Sequence, residues 1–216
     1  WGDPTDNGIM PRRTDAFRGL AQASRLRVLH VILDNPGIAL TEISSLTNLH
    51  ENTLRDHVRV LEAEGFIIAE VEHRAARGRP RTVYQAVTGD VAHEVAEQRI
   101  RDAKHHGDLL RQLVPDAATS LDDDSAHQID ALYEHLDDVG LEPDIDEGTL
   151  TVDLKPCPFH ELVDKNRDIA CAVHEKLIQN VLHQAGGPVE LDRLLPYTTP
   201  HSCRVHLAVR ETPAAG

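Results

Sequence analysis

Aromatic residues make up only 3% of this 216-residue chain, with one Trp and one Met. No apolar run approaches the roughly 20 residues that a membrane-spanning helix requires, so no membrane partner is expected. Cysteine is absent from the first 156 residues and occurs three times afterwards. An odd, small number of thiols is a poor basis for a disulfide framework. The opening stretch WGDPTDNGIMPRR lacks the apolar core of a secretory leader. The expectation is a cytoplasmic protein with reduced thiols. The nucleotide-binding glycine motifs, the zinc-protease H-E-x-x-H and the nucleophile elbow are all missing, which argues against an enzyme.

Charge is unevenly divided. The net charge is −14, yet residues 1–90 carry 11 Arg and no Lys against 12 acidic residues. The remaining 126 residues hold 11 basic side chains against 24 acidic ones. The acid therefore sits in the second half, and local charge governs phosphate binding more than the sum does.

Within the first half, DAFRGLAQASRLRVLHVIL spaces Phe17, Leu20, Leu26, Leu29 and Leu33 at near-helical intervals, and Asn35-Pro36-Gly37 ends the helix. A short second helix, opened by Thr41 and Glu42, turns Ile43 and Leu46 inward. Asn48, with Glu51 three residues on, reads as the cap of a third helix that buries Leu54, Val58 and Leu61 and stops at Gly65. FIIAEVEH and TVYQAV then read as strands around the hairpin RAARGRPR, which holds four arginines and no acid. Three short helices followed by an Arg-tipped hairpin describe a winged helix-turn-helix. The third helix would enter the major groove with His50, Asn52, Thr53, Arg55, Asp56 and Arg59 exposed, Asn and Arg being the residues that read A and G by paired hydrogen bonds. Arg74, Arg77, Arg79 and Arg81 of the wing would reach phosphates or the minor groove. His57 reads equally as a phosphate contact or a packed side chain.

Residues 91–114 form a long helix with Val91, Val95, Ile100, Ala103, Leu110 and Val114 on an approximate stripe, ended by Pro115. Such a helix beside a DNA-binding unit suits two-fold pairing on a palindromic operator. His105 and His106 read as solvent-facing. The acidic stretch 115–125 is taken as a boundary. Beyond it, a helix with Ile129, Leu132, Leu136 and Val139 inward, a strand over 148–156, a helix over 168–187 and a strand over 202–210 suggest a small α/β sensor domain. The expected fold is α+β, with a winged helix-turn-helix over 12–90, a dimerisation helix over 91–115 and a sensor domain over 124–212.

The cysteines follow the spacing C-x13-C-x2-H-x28-C. Cys171 and His174 are i and i+3 on one helix, so their side chains leave one face. Cys157 follows a predicted strand and Cys203 begins the last one. Three thiolates and an imidazole, Cys157, Cys171, Cys203 and His174, form a ligand set for a metal or an inorganic cluster.

The stretches SRLRVLHVIL, NTLRDHVRVLEAEGFI and GRPRTVYQAV resemble the winged-helix regulators related to ArsR-type repressors. The wing signature, with LDDVGLEPDI, LKPCPF, IACAVHEKLI and CRVHL, resembles the SufR-type iron–sulfur repressors. The resemblance implies that Cys157, Cys171 and Cys203 hold an iron–sulfur cluster, with the four-iron, four-sulfur form favoured. It also implies target genes for iron–sulfur assembly or redox defence. It leaves the fourth ligand open, with His174 first on geometry and His160 and His201 behind it. The expected partners are double-stranded DNA with a palindromic operator and a second copy of the chain. The same donors would equally make a Cys3His zinc site. Thiolate-bound haem at Cys157-Pro158, or a Cys/His nucleophile pair, are further readings of these residues.

Overall fold

The computed structural model describes residues 20, 22–72, 80–114, 119–155, 160–199 and 202–210, with the side chains of 160–167 left aside. Helix α1 (Ala23–Asp34) turns Leu26, Val28, Leu29 and Ile32 inward. Leu33 is only partly buried, because the stripe runs through Ile32 instead; Phe17 lies outside the described residues. Strand β1 (Ile38–Ala39) leads into α2 (Leu40–Thr47), which buries Ile43 and Thr47. Leu46, expected inward, is 57% exposed. Thr47 takes the inward position because its hydroxyl is satisfied within the helix, donating to the Ile43 carbonyl at 2.7 Å.

Helix α3 (Glu51–Ala63) is capped by His50, not by Asn48, and the His50 Nδ1 accepts the Asn52 N–H at 3.2 Å. Asn48 instead closes α2 in the left-handed conformation, at φ 56°, which Asn tolerates better than most residues. Leu54, Val58 and Leu61 are buried as their spacing predicts. The helix stops in a Schellman motif: Phe66 N–H donates to the Leu61 carbonyl, Gly65 N–H to that of Glu62, and Gly65 sits at φ 75°. Strands β2 (Ile67–Glu72) and β3 (Arg81–Ala86) pair antiparallel, and β1 joins on the far side of β3. Together these elements make a winged helix-turn-helix, and the whole chain is a mixed α+β fold.

Helix α4 (Glu94–Leu113) follows the wing, and α5 (Asp123–Asp138) packs against it. The inward positions of α4 are small: Ala96, Ala103 and Gly107. A Cβ at Gly107 would stand 2.1 Å from Asp130 Oδ2, so any larger residue there would push the Asp130 carboxylate from its place. One turn on, Arg111 donates to both Asp130 oxygens, at 2.9 and 2.7 Å. Of the stripe expected from sequence to serve pairing, this close approach turns Ala103 inward and leaves the larger Val95, Leu110 and Val114 exposed.

After α5 come β4 (Glu142–Asp146), β5 (Thr151–Lys155), α6 (His160–Ala185), β6 (Val189–Thr199) and β7 (Ser202–Val209). The four strands form one antiparallel sheet in the order β4-β5-β7-β6. Sequence reading missed β4 and β6, both edge strands. The ladder of β6 is broken by register shifts, and it carries Pro196, features that edge strands accept.

The buried apolar residues form two large clusters, and α6 serves both. Ala170, Val173 and Leu177 join the core of the DNA-binding unit beside Leu20, Leu26 and Leu29. Ile178 and Leu182 join the core beneath the four-stranded sheet, with Leu132, Leu136, Val152 and Val205. Lys176 on α6 pairs with Asp34 at the end of α1. Val139 and Tyr197 also reach the first core from the second half of the chain. A buried Gln128 ties α5, α6 and β6 together: its amide donates to the carbonyls of Leu182 and Val189, and its oxygen accepts the Val189 N–H.

His57, left open by its sequence context, is buried in the core beneath α3. Neither ring nitrogen has a partner among the described residues. Burial, reinforced by the charge of Arg25, lowers its pKa. The folded protein therefore binds this proton more weakly than the unfolded chain, which titrates near 6.5. Stability should fall as pH drops through about 6.5, by at most about 1.4 kcal/mol per pH unit for one proton. Chemical denaturation at several pH values between 7.5 and 5.5 should show this slope added to that of the other buried histidines, His135 and His174, and His57→Leu should make it shallower; an unchanged slope would remove His57 as a contributor.

Candidate nucleic-acid interface and thiol sites

The surface that a duplex would meet is built on α3. Its buried stripe points Leu54, His57, Val58 and Leu61 into the core. The remaining faces therefore carry Asn52, Thr53, Arg55, Asp56 and Arg59 outward, with His50 exposed at the cap. Arg55 is already organised: one guanidinium nitrogen donates to Asn52 Oδ1 at 2.9 Å and the other to Glu51 Oε2 at 2.8 Å. Arg59 lies 3.5 Å from Asp56. These exposed i, i+3 and i, i+4 pairs are individually weak, so phosphate or guanine can replace the acid at small cost.

The turn before α3 is fixed by side chains that sequence reading did not select. Ser44 donates to the Leu49 carbonyl at 2.7 Å. From α1, Arg27 donates to the Thr47 carbonyl at 3.0 Å, satisfying one of the last carbonyls of α2. Arg27 carried no signal in the sequence, because its role depends on where α1 crosses α2. Within the wing, Arg81 pairs with Glu72 directly across the strand ladder and lies 3.5 Å from Glu42 of α2. It fastens the base of the wing to the helix pair. Arg74, Arg77 and Arg79 lie outside the described residues.

Of the thiols, Cys157 lies outside the described residues. Cys171 is half-buried on α6, and Cys203 is buried near the start of β7. Cys203 sits in register with Leu154 on β5. The chain leaves β5 at Lys155 and re-enters helix at His160, so the described ends bracket the segment that carries Cys157. His174, one turn beyond Cys171, is buried, and its Nε2 has no partner among the described residues. Burial pushes its pKa down to about 4. Its neighbour His135 is pushed to about 3, by burial first and then by the charges of His174 and Arg99. Both rings are thus neutral at pH 7, the form in which imidazole binds a metal. Among the described residues, no group of three or more His, Cys, Asp or Glu could hold a metal ion. The side chains of His160 and His201 are likewise outside what is described.

Residues 22–68 match the family model described as winged helix-turn-helix DNA-binding. That stretch runs from the start of α1 into β2 and contains the whole of α3. No curated protein matches the chain. Among the described residues, no helix is long and apolar enough to cross a membrane. The match and the geometry agree on a DNA-binding transcriptional regulator.

A bidentate base contact is worth about 1–3 kcal/mol. Arg55→Ala should therefore weaken binding to a duplex selected by the protein in vitro by about 5- to 150-fold. Fluorescence anisotropy measures this, and a change within twofold would remove Arg55 from base recognition.

Proposed function

We propose that this regulator senses an iron–sulfur cluster, and that it represses genes of iron–sulfur assembly or redox response as a homodimer on a palindromic operator. The observation that carries the proposal is the position of Cys171. It lies on α6, the helix whose Ala170, Val173 and Leu177 complete the core of the DNA-binding unit. A group held at Cys171 is thus attached to an element that the DNA-reading half cannot do without.

The donor types suit such a group, although Cys171, Cys203 and His174 are not gathered into one ligand group among the described residues. Thiolates are the usual ligands of iron–sulfur clusters, and the three cysteines are confined to the second half of the chain. Cys157, Cys171 and Cys203 would hold it. His174, neutral, buried and with an orphan Nε2, would take the fourth position. When bound, the group would supply a bond network among these residues that oxidants or iron shortage remove. The chain's own part is mechanical. β7 carries Cys203 and belongs to the sheet, while α6 carries Cys171 and packs on α1. A tie between them fixes α6 against the sheet, and α6 in turn fixes α1 and the turn that presents α3.

Two measurements test the proposal. Protein purified without oxygen should be brown and contain iron and acid-labile sulfide, and Cys171→Ser should abolish the colour while leaving the far-UV circular dichroism intact. A colourless protein with one zinc per chain would replace the cluster by a Cys3His zinc site. On the DNA side, replacing Arg77 and Arg79 together by Ala should weaken operator binding. It should also reduce the slope of log K against log salt by up to about 2, since each phosphate contact contributes about 0.9. An unchanged slope would exclude both side chains as phosphate contacts.

A further inference from the structure

The exposed side of α4 carries a stripe: Val95, Asp102, His106, Leu109 and Leu113. The intervals of seven, four, three and four residues keep these positions on one face of a helix. The stripe lies to one side of the small-residue seam that α4 presents to α5, roughly a quarter turn round the helix, and Leu113 is 76% exposed. Solvent-exposed apolar side chains repeated along one helix face mark a contact surface.

Four of the five stripe positions, Val95, Asp102, His106 and Leu113, read the same in both directions, with Leu109 falling opposite the partner's Arg99, and from that we infer that α4 pairs antiparallel with α4 of a second copy, about a two-fold axis beside Lys104. The inference rests on the homodimer proposed above and names its surface and register. Centred there, Val95 lies opposite the partner's Leu113, and Asp102 lies opposite the partner's His106. Both contacts occur twice, as an isologous interface requires. A register displaced by one heptad sets Asp102 against the partner's Leu113 and leaves Val95 unpaired. A parallel pair sets Asp102 against the partner's Asp102, and like charges directly opposed are unfavourable.

The neighbouring charges permit the contact. Asp102 accepts only an exposed i, i+4 hydrogen bond from Gln98 at 2.8 Å. His106 lies 3.3 Å from Glu134 of α5, with both side chains accessible. The acid of the second copy would add to that of Glu134 beside the imidazole, while the apolar ends exclude water from the seam.

The full-length chain tests this in two steps. Sedimentation of the wild type should show a dimer, and Leu113→Asp should raise its dissociation constant at least roughly tenfold, since a buried leucine is lost on each side. Cysteines are then introduced at 102 and 106, and oxidised products are assigned by peptide mass so that the native thiols are told apart. The double variant D102C/H106C should form the 102–106 inter-chain disulfide, and neither single variant should form an inter-chain disulfide at its own introduced cysteine, because only Cα atoms within about 7 Å can be bridged. A 102–102 disulfide in D102C alone means a parallel pair and overturns the inference. A wild-type dimer untouched by Leu113→Asp, with no 102–106 disulfide, overturns this surface while leaving the homodimer intact. A wild-type monomer that still binds its operator overturns both.

Discussion

The structure depends on one helix being shared between two cores. Along α6 the apolar positions divide: Ala170, Val173 and Leu177 face the DNA-binding unit, and Ile178 and Leu182 face the sheet. Burying a valine and a leucine contributes about 3–6 kcal/mol, an upper estimate but a large share of the stability of a small unit. The two halves therefore constitute one mechanical body along this seam. Lys176 and Asp34 pair beside the seam, and the interaction holds the Asp34 carboxyl below the usual carboxylate range.

This sharing decides how a displacement in the second half reaches the DNA-binding unit. Packed cores tolerate few intermediate arrangements, so a shift of α6 relative to the sheet is transmitted to α1 rather than absorbed. From α1, Arg27 reaches the Thr47 carbonyl and holds the turn before α3. The route from Cys171 to α3 thus runs through van der Waals contact and a single hydrogen bond. Electrostatics set the sensitivity at the far end, where Glu51 and Asp56 hold the arginines of α3 in the absence of DNA.

The sequence made some of this legible for identifiable reasons. The buried stripe of α3 and its stop at Gly65 were readable because helical period and left-handed glycine are local properties. Fold class followed from the order of elements. Other features were not local. Leu46 and Thr47 exchanged roles because a hydroxyl can return to its own helix. His50 displaced Asn48 as the cap because Asn48 was needed to turn the chain. β6 was invisible because an edge strand with bulges and a proline alternates poorly. On α4 the sequence offered an apolar stripe and a pairing role, but not which of its members face outward. Its residues look like core, and only the approach of Asp130 to Gly107 shows that small residues took the inside. Among the thiols, spacing suggested a grouping, while the double role of the helix carrying Cys171 required coordinates.

The pairing of Asp34 with Lys176 joins residues 142 positions apart, and this separation matters during synthesis. A chain emerging from the ribosome presents α1, α2 and α3 long before α6 exists. Until α6 arrives, Leu26 and its neighbours lack part of their cover, and contacts of such sequence separation are slow to form. The nascent DNA-binding unit therefore reaches its final packing only after most of the second half has been translated, so a prematurely terminated chain carries an incompletely packed DNA-binding unit.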